Sequence, residues 1–481
     1  MFVKRFFLLM LLAASALPSF SQSKFTISGT IKDSASGEVL IGVIASVKEL
    51  SATGVSTNEY GFYSLTLGEG NYTIIYSYLG YKPDSIKISL HQNIKQNIRL
   101  AGLGTSLQEV QVQGTKSNAN VTNTQTGVIQ LNIKELNSIP VFFGEKDVLK
   151  TIQLLPGVMS AGDGNSGFYV RGGASDQNLI LLDDAPVYNA SHLLGFFSVF
   201  NSDAIKDVTL YKSGMPAQFG GRLASVEDIR MNDGNDQTYH LSGGIGLIAS
   251  RLNFEGPIKK GKGSFLIAGR RTYADLFLKL SNNAALKNSS LYFYDFNAKG
   301  NYTLGDKDRI YVSGYFGKDV LGADNLFGVN WGNATGTFRW NHIYGAKLFS
   351  NTSLIYSNYN YNIDITAAGL NLGIQSVIRD WGLKEEFQYF PNTKNKILFG
   401  FNSTYHTIVP GNLVSNDSNI NSTNIQTRYA LENSIYASDE VKLSERLSFM
   451  GGVRLTTFSL MGPGTFYTYN PDGTESDSAK Y

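Results

Sequence analysis

Gly167-Phe-Tyr-Val-Arg-Gly-Gly173, then Leu181-Leu-Asp-Asp-Ala-Pro-Val-Tyr188, then Ile205-Lys-Asp-Val-Thr-Leu-Tyr-Lys-Ser-Gly-Met-Pro-Ala-Gln-Phe-Gly-Gly-Arg-Leu-Ala-Ser-Val226 follow one another in the middle of the chain. Strand-like runs at Phe168–Val170, Leu179–Leu182 and Val208–Tyr211 are punctuated by Gly, Asp and Pro, the pattern of a small α/β domain. The glycine pairs Gly172-Gly173 and Gly220-Gly221 suit tight turns or close backbone approach. Asp183 and Asp184 are adjacent, so on a regular strand they would face opposite sides; they share a site only if a turn or bulge redirects one.

Working outward, the chain has 481 residues, a net charge of +2 and no cysteine. The charge implies neither nucleic acid nor an acidic surface as partner, and the missing thiols exclude disulfides, thiolate catalysis and cysteine-ligated metals. Aromatics reach 12% against 17% charged residues, with 50 glycines and 11 prolines, which suits extended aromatic-rich β structure. The N-terminus reads as a secretory signal, residues 1–21. Lys4 and Arg5 precede an apolar run from Phe6 to Ala14, and small residues at Ser19 and Ser21 suit cleavage before Gln22. The alternative, a membrane anchor, is disfavoured because the run is too short to cross a bilayer.

The order of the central motifs resembles the plug of TonB-dependent outer-membrane transporters. The resemblance covers about residues 105–230. It implies a plug domain, 119–232, seated in a β-barrel. It also implies that Arg171, Gly172, Gly173, Asp183, Asp184, Gly220, Gly221 and Arg222 are plug-motif residues, with Arg171 and Arg222 pairing with acids of the barrel wall. Glu227 and Glu255 are candidate partners, and the plainer reading is that both arginines cap turns or line water. Before the plug, residues 22–102 alternate with period two over short runs, for example Ile27 and Ile31, Ala45 and Val47, Leu65 and Leu67, Ile74 and Tyr76. This is a small all-β sandwich. Gly29-Thr-Ile-Lys-Asp33 and Thr57-Asn-Glu-Tyr-Gly-Phe-Tyr-Ser-Leu65 resemble the carboxypeptidase-regulatory-like domain of Bacteroidetes-type transporters, without implying peptidase activity.

A polar linker, 103–118, contains one strand-prone segment: Leu107, Gln108, Glu109, Val110, Gln111 and Val112. By position it resembles the TonB box, which adds as a strand to the energy transducer; the alternative is a first plug strand. Residues 144–155 have the apolar face of a helix at Val148, Leu149, Ile152 and Leu155, with Glu145 and Asp147 favouring its start and Pro156-Gly157 its end.

From residue 233 the alternation becomes that of a lipid-embedded barrel. Ile310, Val312 and Phe316 oppose Arg309, Tyr311 and Ser313, and Leu447, Phe449, Val453 and Leu455 oppose Arg446, Ser448 and Arg454. A parity break near Ser250 marks a turn. Further short turns are expected at 257–262, 305–308, 349–351, 391–394 and 444–445, and longer loops near 278–290, 319–333, 364–378 and 408–425. About eleven strands are expected where the family has about twenty-two, so 233–481 reads as a partial barrel with the strands near Leu241 and Leu455 at free edges. The fold class is thus mainly β: an N-terminal sandwich, a small α/β plug and an incomplete antiparallel transmembrane β-barrel.

Five scattered histidines have no metal-ligand spacing, Gly243-Gly-Ile-Gly246 lacks the helix of a dinucleotide fingerprint, and no nucleophile elbow or phosphate loop occurs. No cofactor and no enzymatic activity are expected. The resemblance implies an outer-membrane receptor that imports a nutrient. Its partners would be a TonB-type energy transducer, outer-membrane lipid and a small nutrient ligand of unknown class, with a surface lipoprotein possible and no nucleic acid. A non-transporting adhesin barrel and a soluble secreted β-protein are the alternatives.

Overall fold

The computed structural model describes residues 23–103, 127–132, 145–162, 165–323, 326–367, 370–415, 425–444 and 447–480. The signal segment and the box-like segment Leu107–Val112 lie outside them.

The N-terminal unit is a two-sheet sandwich. Phe62–Gly68, Lys24–Asp33, Ile94–Lys95 and Ile98–Leu100 form one sheet, and Leu50–Ser56, Ile44–Val47, Gly70–Ser77 and Asp84–Leu90 the other. The residues of one parity on each strand meet between the sheets: Ile27, Ile31, Ala45, Val47, Leu65 and Ile74 are buried in one cluster. Tyr63 and Tyr76 join them edge to face, with their hydroxyls 2.9 Å apart, so the ring polar ends are satisfied inside the core.

A five-stranded mixed sheet carries the central motifs. Its order is Ala185–Pro186, Asn178–Leu182, Ser225–Met231, Ile205–Tyr211 and Val128–Asn132, with only Asn178–Leu182 and Ser225–Met231 parallel. The expected helix over 144–155 is shorter, Val148–Ile152. The side chain of Asp147 caps it by accepting from the Lys150 amide at 3.0 Å, and the last turn unwinds before Pro156. Val148, Leu149 and Ile152 pack on the sheet as expected, and Leu155 is partly buried beside them. Glu145, expected to favour the helix start, lies outside it and turns to the wall.

That wall is an eleven-stranded antiparallel sheet: β1 (His240–Ile245), β2 (Ala249–Lys259), β3 (Gly263–Thr272), β4 (Ser290–Thr303), β5 (Asp308–Ala323), β6 (Phe327–Gly345), β7 (Leu348–Ala367), β8 (Leu370–Tyr389), β9 (Asn395–Ser415), β10 (Arg428–Lys442) and β11 (Ser448–Met461). Each strand pairs with the next, and β1, with Leu241, and β11, with Leu455, are the edges. The alternation resolves into two faces. On β5, Val312 and Phe316 are 57% and 46% exposed on the outside, while Tyr311, Ser313 and Tyr315 are 4%, 7% and 3% exposed against the plug. Among the described residues no helix is long and apolar enough to cross a membrane.

Several turn positions differ from expectation. The turn between β1 and β2 falls at 246–248, ahead of Ser250. Residues 349–351 lie within β7, and the turn sits at 346–347. Within 319–333 the described residues are strand except Leu326, and within 364–378 all the described residues are strand. Strands β6 to β9 are 19, 20, 20 and 21 residues long. At ~3.3 Å per residue they exceed an apolar band of ~25 Å even when strongly tilted. The extra length stands above the end opposite the tight turns, where polar side chains meet water on both faces and the period-two signal fades.

Candidate functional site: the seat of the plug

Asp183 and Asp184 form the turn between Asn178–Leu182 and Ala185–Pro186, whose ends pair as Leu182 with Ala185. Both have positive φ, 48° and 73°, as a two-residue type I′ hairpin turn requires, and Asp tolerates that conformation better than most side chains. The turn therefore redirects both carboxylates into the wall. Asp183 lies 3.3 Å from Lys299 of β4. Asp184 accepts from Arg339 of β6 at 2.7 Å and from Lys384 of β8 at 3.3 Å, with Arg230 of the plug 3.9 Å away. Burial alone would push the Asp184 carboxyl up, but Lys384, Arg339 and Arg230 outweigh it and hold it well below the usual carboxylate range.

The same polarity recurs around the lumen. Asp233 meets Lys299 at 3.1 Å and Arg309 at 3.6 Å. Asp203 meets Arg251 at 2.7 Å, and Glu145 lies 3.5 Å from Arg251 and 3.9 Å from Arg270. In these pairs the acids come from the plug and from Asp233 at its border with the wall, and the bases from the wall strands, the reverse of what Arg171 and Arg222 were expected to do. Arg171, at φ 50°, is exposed and Arg222 is half-buried, and among the described residues neither forms an ion pair. Arg222 donates to the Gly221 carbonyl at 2.9 Å, the turn-capping alternative. Neither Glu227 nor Glu255 meets them.

The glycines divide by role. Gly172 and Gly221 have φ of 82° and 77°, while a Cβ on Gly173 or Gly220 would run into Ala224 or Arg454.

The plug is also pinned at the opposite end of the lumen. His192 Nδ1 is 2.6 Å from Asp319 of β5 and Nε2 is 3.4 Å from Asp295 of β4, with its ring stacked on Phe293 at 4.0 Å. Asp295 is shared with Arg270 at 2.7 Å. Burial would push His192 down, but the two carboxylates raise it. Next to it, Leu193 and Leu194 take left-handed φ values of 47° and 59°, an unfavourable conformation for leucine held partly by the Leu193 amide donating to Asp319 at 2.8 Å. Leu194 and Phe196 are thereby left exposed.

Among the described residues no base lies within ion-pair distance of Glu227, on the central strand of the plug sheet. It is fully buried, and neither carboxylate oxygen has a hydrogen-bond partner. Burial, with a smaller push from Asp147, raises it to about 8. A raised folded value means that its contribution is whole below the unfolded value and is lost as pH climbs through about 8. At pH 7 the penalty is at most about 3 kcal/mol. Glu227→Gln is therefore expected to slow hydrogen exchange in Ser225–Met231 at pH 8, with the gain shrinking towards zero by pH 5. A gain equal at both pH values would contradict this account.

Among the described residues no group of three His, Asp or Glu could hold a metal ion. Sequence reading named Asp183 and Asp184 but not their anchoring role, and it missed the buried histidine. The signal available for the acids was the lumen-facing parity of Lys299, Arg309, Arg339 and Lys384, which demands partners of opposite sign.

Comparisons with known proteins agree with this architecture. The family model described as the CarboxypepD_reg-like domain matches residues 27–112, and that of the TonB-dependent Receptor Plug Domain matches residues 141–226. No curated protein sequence matches the chain. Among solved structures, a double mutant of the Serratia marcescens hemophore receptor HasR in complex with its hemophore HasA and heme aligns with a TM-score of 0.55 at 12% identity, over 76% of this chain and 59% of that one. The copper transporter OprC gives 0.54 at 13% identity, over 73% and 59%. The siderophore receptor PirA from Pseudomonas aeruginosa gives 0.50 at 14% identity, over 69% and 56%. These likenesses concern the fold. The chain spans less than two thirds of the length of each of the three structures.

Proposed function

We propose that this chain, which carries a TonB-dependent receptor plug domain behind a carboxypeptidase-regulatory-like domain, works in an outer-membrane receptor that takes a small nutrient ligand into the periplasm. The observation that carries the reading is how the plug is held. Acids on a plug turn meet bases on a polar wall whose outer face is apolar, so ion pairs that can be broken and remade help to fasten the plug, beside the apolar contact with Leu266, Ala268 and Tyr315. The exposed Leu194 and Phe196, on a strained turn, suit contact with an incoming ligand. The similar solved structures are a hemophore receptor with heme, a copper transporter and a siderophore receptor, so the shared fold does not select the cargo.

In this reading residues 1–21 are the signal, 22–102 the periplasmic sandwich, 103–118 the linker, 119–232 the plug and 233–481 the barrel portion. Leu107–Val112 is the segment that pairs with a TonB-type transducer by strand addition, which needs extended backbone more than particular side chains. The carboxypeptidase-regulatory-like match runs through residue 112 and so takes in this segment. Arg171, Gly172, Gly173, Asp183, Asp184, Gly220, Gly221 and Arg222 are the plug-motif residues, with Asp183 and Asp184 as the anchoring pair.

The mature protein is expected in the outer-membrane fraction with its N-terminus near Gln22. Cell fractionation with N-terminal sequencing checks this. Intact protein in the soluble periplasm, or a membrane-bound form still starting at Met1, would refute it.

A further inference from the structure

The tight turn Asn58–Phe62 of the sandwich is buried in the wall, at the end where the strands join by short turns. Asn58 shapes this turn by accepting from the amides of Tyr60 and Phe62 at 3.0 and 2.9 Å, and its own amide group donates to Gln388 of β8 at 2.9 Å. Tyr60 and Phe62 stack on Phe349 of β7 with ring centroids 5.2 and 5.6 Å apart, and Phe62 also meets Phe390. Ser64 donates to the Ala346 carbonyl in the β6–β7 turn at 2.7 Å. This aromatic cluster is separate from the sandwich's own core, so the sandwich can leave the mouth as a rigid body.

The sandwich holds the plug as well as the wall. Glu59 pairs with Arg230 at 2.9 Å, and Arg230 in turn lies beside Asp228 and Asp184. Lys206 donates to the Val39 carbonyl at 2.8 Å, and the Asp233 amide donates to Glu38 at 2.6 Å. Arg230, Lys206 and Asp233 belong to, or border, the end of the plug sheet that also carries the Asp183-Asp184 turn.

We propose that the N-terminal sandwich is a lock on the plug: seated by its aromatic turn, it closes the tight-turn mouth of the wall and clamps the adjoining edge of the plug. Its purpose rests on the transporter reading, since anything leaving the lumen on this side, or any movement of the plug toward it, first needs the sandwich to swing out.

The chain has no cysteine, so the docked state can be reported by one engineered pair, Ser64→Cys with Ala346→Cys, joined by a short thiol cross-linker in full-length protein in its membrane. Two undocking variants attack the contact from its two sides: Tyr60→Ala with Phe62→Ala on the sandwich, and Phe349→Ala with Phe390→Ala on the wall. In each, the cross-link is expected to be lost. Hydrogen exchange in Ile205–Tyr211 and Ser225–Met231 is expected to rise about tenfold or more, while that in Lys24–Asp33 stays as it was. Loss of the cross-link with unchanged plug exchange would overturn the lock, and so would a cross-link that persists in both variants. Neither readout needs a ligand, so a protein that fractionates elsewhere would fail the transporter reading separately.

Discussion

Replacing Asp184 with alanine is expected to destabilise the seated plug by about 3–5 kcal/mol, the usual cost of leaving buried charges without their partner. Arg339 and Lys384 sit on the wall within 3.3 Å of this carboxylate, and both are buried with it. The cations cannot reach bulk water, so the loss is larger than that of an exposed pair, worth about 0–1 kcal/mol. Plug hydrogen exchange in the full-length protein measures it. Arg339→Ala in the Asp184→Ala background is expected to recover part of the loss, because it removes the stranded charge. A loss below about 1 kcal/mol would show that the turn is a minor anchor. The pH dependence has a definite sign. The folded carboxyl lies below its ordinary value, so its contribution is complete above about pH 4 and is lost on acidification through the folded value. His192 runs the other way: its folded value is raised, so its contribution is whole below about pH 6.5 and is lost as pH rises through that folded value. Wild-type plug protection should therefore fall at both ends of the range, and Asp184→Ala should flatten the acid limb alone.

The faces of the wall were legible in the sequence because each has one solvent. Outside, the apolar Val312 and Phe316 stand exposed; inside, the polar plug surface selects Ser313 and Lys299. Where a strand meets another environment, the same rule misleads. Phe349 sits at a lumen-facing position of β7 yet is apolar and buried, because its partners there are Tyr60 and Phe62 of the sandwich. That inverted residue is why 349–351 reads as a turn. Above the membrane band, Asn330, Asn360, Asn362 and Asp364 break the alternation, yet backbone pairing of β6 with β7 continues through all four. The strand persists there by hydrogen bonding that side-chain periodicity does not report.

The anchoring of the plug was only half legible. The motif residues were visible, but the role given to the arginines rested on resemblance, and the geometry assigns the anchoring to the neighbouring acids. Two adjacent aspartates look incompatible with a shared site until the type I′ turn is known, since only positive φ at both turns them out together. Their partners come much later in the chain, Lys384 by 200 residues. No local pattern encodes a contact of that range. The sandwich core, by contrast, was read from period two alone, since its strands are short and each has one buried face.

The largest functional effect is expected from Val110→Pro. If Leu107–Val112 pairs with the transducer by strand addition, its main-chain N–H and C=O groups carry the contact. Proline removes one N–H and its ring is tolerated only at strand edges or bulges, so a proline in the middle of the six-residue segment interrupts the pairing from within. Val110→Ala keeps the N–H and is the control. Energised uptake of whichever ligand the purified protein binds is expected to fall by roughly tenfold or more in Val110→Pro and to change little in Val110→Ala. Ligand affinity should be the same in both, because neither the open lumen nor Leu194 and Phe196 is touched. Capture of the transducer's C-terminal domain by the purified protein should be lost in step with uptake. If Val110→Pro transports as well as the wild type, the pairing segment lies elsewhere in the linker. If uptake and ligand affinity fall together, the substitution has disturbed the plug, and the contribution of strand pairing must then be read from the transducer capture alone.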